Sequence, residues 1–97
     1  MIRREGDRMF VTGPVTLQNV TSLLEDGYAQ VRAGVTEIDL AEVTELDSSL
    51  IAATLAWMRE ARLQDRSLTV ANLPEGTQTL AGLYGVEELL PPAATGQ

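Results

Sequence analysis

The stretch Ile38-Asp39-Leu40-Ala41-Glu42-Val43-Thr44-Glu45-Leu46-Asp47-Ser48-Ser49 joins an extended apolar run to a helical pattern. The run that leads into it, Val35–Leu40, predicts a strand with Ile38 and Leu40 on one face. The residues that follow, Ser49–Leu63, place apolar side chains around one broad arc at about 100° per residue, which predicts a helix. The stretch therefore connects a buried strand to the N-terminus of a helix.

On the N-terminal side, the sequence predicts a hairpin and a first helix. Met1–Arg4 and Arg8–Thr12 read as strands, and Gly6 between them suits a tight turn. Apolar residues then recur at spacings of three and four, which predicts a helix that Thr16 caps and Gly34 ends. The predicted apolar stripe consists of Leu17, Val20, Leu24, Tyr28 and Val31.

On the C-terminal side, the sequence predicts one more strand and one more helix. Ser67–Ala71 reads as a strand, and Asn72 followed by Glu75 resembles a capping box at a helix start. Nearer the N-terminus, Gly13-Pro14 directly follows the second hairpin strand and is expected to break the extended run there. The apolar side of the last predicted helix consists of Leu80, Leu83 and Tyr84.

This order of elements predicts an α/β fold. Strands that alternate with helices imply crossover connections, so we expect a mixed, mostly parallel sheet of about four strands. It begins with an N-terminal β-hairpin, and three helices cover it. Residues 1–92 are expected to form one domain and residues 93–97 a flexible C-terminal tail.

Composition excludes several classes of function. The 97 residues include no His and no Cys, and all seven cations are Arg, so the usual zinc, thiolate, Ser-His-Asp and Schiff-base chemistries lack their residues. We therefore expect no catalytic residues, no metal and no cofactor. The net charge of −7 disfavours nucleic acid and anionic lipid as partners. Without a signal segment or an apolar run of membrane-spanning length, a cytoplasmic location is expected.

Asp47, Ser48 and Ser49 form the most informative candidate site. One interpretation is helix capping, in which their side-chain oxygens accept the free N–H groups of the first turn. The other is an anion site, because a helix N-terminus favours negative charge and a serine there can be phosphorylated. The neighbouring Asp47 opposes such a phosphate.

Other clusters near this site have simple structural explanations. Four carboxylates lie in or beside the loop, and they read as a solvated acidic rim, since a metal site needs several oxygens that converge on one point. These carboxylates are Asp39, Glu42, Glu45 and Asp47. The arginines of the hairpin, Arg3, Arg4 and Arg8, suggest protection of an edge strand or a small basic patch.

The second helix carries a candidate docking face. Ala52, Ala53 and Ala56 leave a nearly bare surface flanked by Arg59 and Glu60. The high helix propensity of alanine is enough to explain why these three residues occur in a helix. A flat face of small side chains beside a serine also suits contact with another protein.

The central pattern resembles the signature of STAS domains, the modules typified by anti-sigma-factor antagonists. The resemblance rests on Ile38-Asp39-Leu40-x-x-Val43-x-x-Leu46-Asp47-Ser48-Ser49 and covers nearly the whole chain. Within that family, the stretch Thr79–Val86, continuing to Leu89-Leu90-Pro91, is similar to MlaB proteins. These are small STAS subunits of the Mla phospholipid-transport ABC system.

The resemblance implies a non-catalytic subunit that binds the ATPase subunit of such a transporter. The family's conserved hydroxyl falls on Ser48, which in the anti-sigma-factor branch is the residue that a partner kinase phosphorylates. Family members commonly have Gly near the Ser pair, whereas this chain has Leu50. That difference favours a constitutive docking surface formed by the Asp47-Ser48-Ser49 loop and the second helix. An anti-sigma-factor antagonist regulated at Ser48 is the alternative.

Overall fold

A computed structural model describes residues 1–77 of the chain. In this part, strands and helices alternate after an initial run of strands. The strands are β1 (Ile2–Glu5), β2 (Arg8–Val11), β3 (Gly13–Val15), β4 (Glu37–Asp39), β5 (Val43–Leu46) and β6 (Thr69–Ala71), and the helices are α1 (Val20–Arg32) and α2 (Ser48–Leu63).

The main sheet contains four strands in the order β1-β2-β4-β6. β1 pairs antiparallel with β2, as the hairpin predicts, and β4 pairs parallel with both β2 and β6. The predicted mixed, mostly parallel sheet with an N-terminal hairpin is therefore confirmed. Each parallel step is a helical crossover, so α1 and α2 run from the carboxyl edge of the sheet back to its amino edge.

A second sheet of two strands, β3 and β5, was not predicted. The hairpin strand β2 does end at Val11, just before Gly13-Pro14, as expected. The expectation missed that these residues begin a new strand, because β3 pairs in parallel with β5 through an irregularity between Gly13 and Pro14. Gly13 adopts φ +84, and its N–H donates to the Glu42 carbonyl at 3.0 Å. Both strands of a two-stranded sheet are edge strands, so Pro14, which has no backbone N–H, is tolerated in β3.

The start of α1 differs from the prediction. The helix begins at Val20, and Thr16 does not cap it. Instead, the Asn19 carboxamide accepts the N–H of Thr16 at 2.9 Å and donates to the Pro14 carbonyl at 2.9 Å, which closes a turn before the helix. Leu17 therefore lies outside α1.

The end of α1 confirms the role predicted for Gly34. Gly34 adopts φ +113, and the N–H of the next residue, Val35, donates back to the Gln30 carbonyl at 3.1 Å. This is the Schellman arrangement, in which the residue after the cap needs the left-handed region.

The aliphatic core lies between the main sheet and the two helices, with Trp57 at its centre. The Trp57 side chain has no exposed surface, and its indole N–H donates to the Leu24 carbonyl at 3.3 Å. Its ring packs against Gly27, where an added Cβ would come within 2.2 Å of the indole. Gly27 is thus the point at which α1 and α2 approach each other closely.

Asn72 ends β6 in a way that differs from the prediction of a helix cap. It adopts φ +57, and its amide nitrogen donates to both oxygens of the Asp39 carboxylate at 3.1 and 3.2 Å. The interaction joins the carboxyl ends of β6 and β4. Residues 1–77 contain two of the three predicted helices, and the third, with the 93–97 tail, falls outside the described residues.

Candidate functional site

Asp47 links two segments of the chain at the start of α2. Its backbone is extended, and its Oδ1 accepts the N–H of Ser49 at 2.8 Å, so it is the N-cap of the helix. Its Oδ2 accepts the N–H of Leu17 at 3.1 Å, in the loop before α1. Its own N–H donates to the Val15 carbonyl of β3 at 3.3 Å. The predicted capping role is present, and the same carboxylate also fixes the Leu17 loop.

These hydrogen bonds stabilise the charged form of Asp47. The N–H of Ser49 is the largest influence, followed by the Ser49 side chain and the N–H of Leu17, and together they lower the pKa of the Asp47 carboxyl below its ordinary value. The carboxylate is therefore held as an anion at the positive end of α2.

The two serines differ in accessibility. Ser48, the first residue of α2, is partly exposed, whereas Ser49 is buried and its N–H is bound to Asp47. Of the two hydroxyl groups, that of Ser48 is the one that an approaching protein would meet first.

The predicted alanine face needs one correction. Ala52 is exposed and Ala56 partly exposed, but Ala53 has no exposed surface and belongs to the core. One residue of helix turns by about 100°, so Ala53 points away from its neighbour Ala52 and toward the interior. Steps of three and four residues place Arg59, which is exposed, on the side of Ala52.

Leu17 is a neighbour of this surface that the sequence analysis assigned to the apolar stripe of the first helix. Its side chain is 77% exposed, and its N–H is held by Asp47. The sequence signal that marks it is Asn19, a residue typical of helix starts, which shifts the helix beyond Leu17. We define the α2 surface as the exposed or partly exposed residues around this point: Leu17, Asp47, Ser48, Ala52, Ala56 and Arg59.

The carboxylates near the signature loop do not gather at one point. Glu42 forms two hydrogen bonds with Arg3, at 2.9 and 3.0 Å, which lower the pKa of its carboxyl. Asp39 is buried, accepts the N–H of Ala41 at 2.9 Å and bonds Asn72. In residues 1–77, no group of three or more acidic side chains is placed to hold a metal ion.

The hairpin arginines do not form a basic patch. Arg3 bonds Glu42, while Arg8 pairs with Glu37 at 2.9 Å and lies 3.5 Å from Asp39. Arg4 donates instead to the Gln30 side-chain oxygen at 3.3 Å and to the carbonyls of Gly6 and Ala33. Two of the three cations thus face a carboxylate from a neighbouring part of the fold, and the third is bonded to neutral oxygens. Neither helix of the described part is long and apolar enough to cross a lipid bilayer.

Solved structures with a similar fold include an anti-sigma factor antagonist in two states. SpoIIAA in its unphosphorylated form matches with a TM-score of 0.68 and 15% identity, over 98% of this chain and 88% of that one. The Bacillus cell fate determinant SpoIIAA in its phosphorylated form matches with a TM-score of 0.65 and 15% identity, over 98% and 91% of the two chains. At these identities the likeness shows a shared STAS fold.

The sequence profile of the family described as Mlab, STAS domain, matches residues 2–91. The chain therefore belongs to the MlaB-type STAS-domain family. A search of the curated proteins found no match.

Proposed function

We propose that this chain is a non-catalytic, MlaB-like subunit that binds the ATPase subunit of an Mla-type phospholipid ABC transporter through the α2 surface. The observation that carries the proposal is the exposed Leu17 side chain, held by Asp47 beside the exposed face of α2. An apolar side chain fixed beside small residues and a helix N-terminus suits docking of a protein. Membership of the MlaB-type family supports the identity of the partner.

A binding experiment with the cognate ATPase subunit tests this proposal. Leu17→Arg, Ser48→Glu and Ala52→Arg each place charge on the α2 surface and are expected to weaken capture of the ATPase at least tenfold. Each changed side chain reaches solvent, so the fold should persist. Circular dichroism and urea unfolding check this for every variant.

Ala29→Arg is the matched control. Ala29 is exposed on α1, near the amino edge of the sheet and away from Asp47, so this variant should bind the ATPase like the wild type. Undiminished binding by all three α2-surface variants would remove this surface from the proposal. Ala53 is unsuitable for such a test, because an arginine there would enter the core.

The second candidate is an anti-sigma-factor antagonist that a partner kinase phosphorylates on Ser48. It is supported by the partly exposed position of Ser48 at the start of α2 and by the fold shared with SpoIIAA. Intact-mass measurement of protein isolated from its native cell tests it. A phosphorylated species that disappears in Ser48→Ala favours the antagonist, whereas its absence under every growth condition opposes it.

A further inference from the structure

The outer side of α2 carries a line of accessible side chains that runs the full length of the helix. Steps of four, four, three and four residues bring five side chains onto one face, and each is exposed or partly exposed. We define the α2 stripe as these five residues: Ser48, Ala52, Ala56, Arg59 and Leu63. The stripe extends the α2 surface to the C-terminal end of the helix.

An exposed leucine lies at each end of the α2 stripe. Leu63 is 75% exposed at the C-terminal end, and Leu17, which Asp47 holds at the N-terminal end, is 77% exposed. With Met1, they are the exposed large apolar side chains of residues 1–77. Ser48 and Leu63 are about 22 Å apart along the helix axis, so the two leucines cannot cover each other within one molecule.

The two ends of the stripe also differ in charge. Glu45 and Asp47 place carboxylates immediately before the N-terminal end. Arg59 and Arg62 place guanidinium groups near the C-terminal end, and neither forms an ion pair within residues 1–77. The outer side of α2 is therefore acidic at its start, small and uncharged in its middle, and basic at its end.

We propose that this face binds a second copy of the chain, and that the two α2 stripes pack against each other in antiparallel orientation. A two-fold axis beside Ala56 sets Ser48 of one copy level with Leu63 of the other. Leu63 then covers Leu17 of the second copy, and the same rotation repeats the contact at the opposite end. A parallel arrangement would instead bring like charges together at both ends.

The charges and the central residues fit this register. Arg62 lies level with Ser49 of the second copy, within about 3 Å of its Asp47 along the axis. Arg59 lies level with Ala52 of the second copy, and the two Arg59 residues are about 10 Å apart along the axis, so like charges do not face each other. The small side chain of Ala56 at the axis permits the helices to approach to about 8 Å.

The size and charge of the contact predict a weak, reversible dimer. The net charge of −7 on each copy opposes association at long range. At physiological ionic strength, charges more than about 8 Å apart are largely screened, whereas the contacts across the stripe are shorter. One helix from each copy buries less than the about 1,200 Å² at which standard stable interfaces begin.

The pairing goes beyond the proposed function, and only its consequence for the transporter rests on that function. The surface proposed to bind the ATPase subunit lies inside the dimer contact, so the two contacts exclude each other. Self-pairing would thereby regulate access to this surface. Because the pairing is measured on the chain alone, either proposal can fail while the other stands.

Sedimentation equilibrium of the full chain, from about 10 µM to about 1 mM, tests the pairing. The wild type is expected to convert from monomer to dimer as its concentration rises. Leu63→Glu places a charge against Leu17 of the second copy and is expected to raise the dissociation constant by roughly tenfold or more. Circular dichroism checks that the variant remains folded, as expected for an exposed position.

Ala29→Glu is the matched control, because it adds the same charge at an exposed position of α1. Ala29 follows Gly27 by two residues, which turns it by about 200° away from the side of α1 that contacts Trp57 of α2. This variant is expected to associate like the wild type.

The chain contains no Cys, so introduced cysteines can test the register. Ala56→Cys is expected to form a disulfide-linked dimer on mild oxidation, because position 56 lies beside the axis. Ser48→Cys and Leu63→Cys are each expected to link slowly alone and rapidly when mixed, because the two positions lie opposite each other. Ala29→Cys measures the rate of linkage by random collision.

Association that Leu63→Glu weakens and Ala29→Glu does not, together with these cross-links, supports the proposal. A chain that stays monomeric at the highest concentration overturns it and leaves the face to other partners. A dimer that Leu63→Glu leaves intact, or cross-linking through Ala56→Cys no faster than through Ala29→Cys, also overturns it.

Discussion

The two helices make a close contact at a residue without a side chain. Gly27 lies under the indole of Trp57, where an added Cβ would come within 2.2 Å of the ring. A glycine inside a helix costs about 1 kcal/mol relative to alanine when nothing packs against it. Here the packing reverses that preference, because the space of a methyl group is already filled.

Gly27→Ala is therefore expected to destabilise the protein by about 1–3 kcal/mol, since overpacking outweighs the gain in helix propensity. Urea unfolding measures the change. Adding Trp57→Phe should recover part of the loss, because the smaller ring frees space above residue 27. A higher urea midpoint for Gly27→Ala alone would contradict the contact.

From the sequence, Gly27 is a residue of low helix propensity inside a predicted helix, and Trp57 belongs to the apolar arc of the next helix. The sequence does not reveal that the two meet, because their contact depends on how α1 and α2 cross. Ala53 was misread for another reason, since it lies four residues before Trp57 and therefore on the buried side of α2. Leu17 was misplaced for a local reason, since the Asn19 turn delays the helix start.

At the scale of elements, arginines from other parts of the chain hold the C-terminus of α1. Arg66 donates to the Val31 carbonyl at 3.2 Å, and Arg4 donates to the Ala33 carbonyl at 3.4 Å. Positive charge at a helix C-terminus is favourable, and these bonds satisfy carbonyl groups in the last turn. β1 and the α2–β6 connection are thereby joined to α1.

Arg66→Met is expected to lower the free energy of unfolding by about 1 kcal/mol, because it removes a hydrogen bond from a charged donor while it keeps an apolar stem. Arg66→Lys should retain part of the effect, because it keeps the charge but loses the planar fork that also reaches Gln64. The urea midpoint is the measurement. Unchanged stability in Arg66→Met would show that the contact contributes nothing.

The sequence predicts well the elements in which apolar residues recur at regular spacing. These are the hairpin, both described helices and the strands β4 and β6. The pair β3 and β5 escaped prediction because β3 contains Gly13-Pro14 and because β5 shows no alternation of buried and exposed residues. Their pairing depends on contact between distant segments. It matters for the site, because β5 leads directly into Asp47.

At the scale of the whole molecule, two lowered carboxyl pKa values make stability dependent on pH. Bonds from Ser49 and Leu17 lower the pKa of Asp47, and the Arg3 guanidinium lowers that of Glu42. For each group the unfolded chain binds protons more readily than the folded one. The stabilisation is therefore present above the ordinary carboxyl pKa of about 4 and is lost as pH falls through the folded-state value.

Urea midpoints measured from pH 7 down to pH 3 are expected to decline, with most of the loss below about pH 4.5. Asp47→Asn should lower the midpoint at pH 7 and flatten this decline, since an amide keeps one acceptor oxygen and does not titrate. Arg3→Met should also make the fall of the urea midpoint with pH shallower, because Glu42 then loses the partner that lowers its pKa. Slopes identical to the wild type in both variants would show that these bonds do not drive the acid sensitivity.

The α/β fold with its mostly parallel sheet followed from the crossover order and the hairpin, and the STAS family followed from the resemblance of the signature stretch. The shape of the α2 surface did not, since it depends on one carboxylate that joins the Leu17 loop to α2. Asp47 was correctly recognised as a cap, but a cap with a second, distant partner has no local sequence signal.

The packing of Trp57 also determines how this protein can be observed. It is the chain's one tryptophan, and it lies fully enclosed between the two helices with its indole N–H bonded to a backbone carbonyl. Its emission should be blue-shifted and protected from dissolved quenchers while α1 and α2 remain together. Separation of the helices would remove both properties at once. Intrinsic fluorescence therefore reports one defined structural event, without any added label.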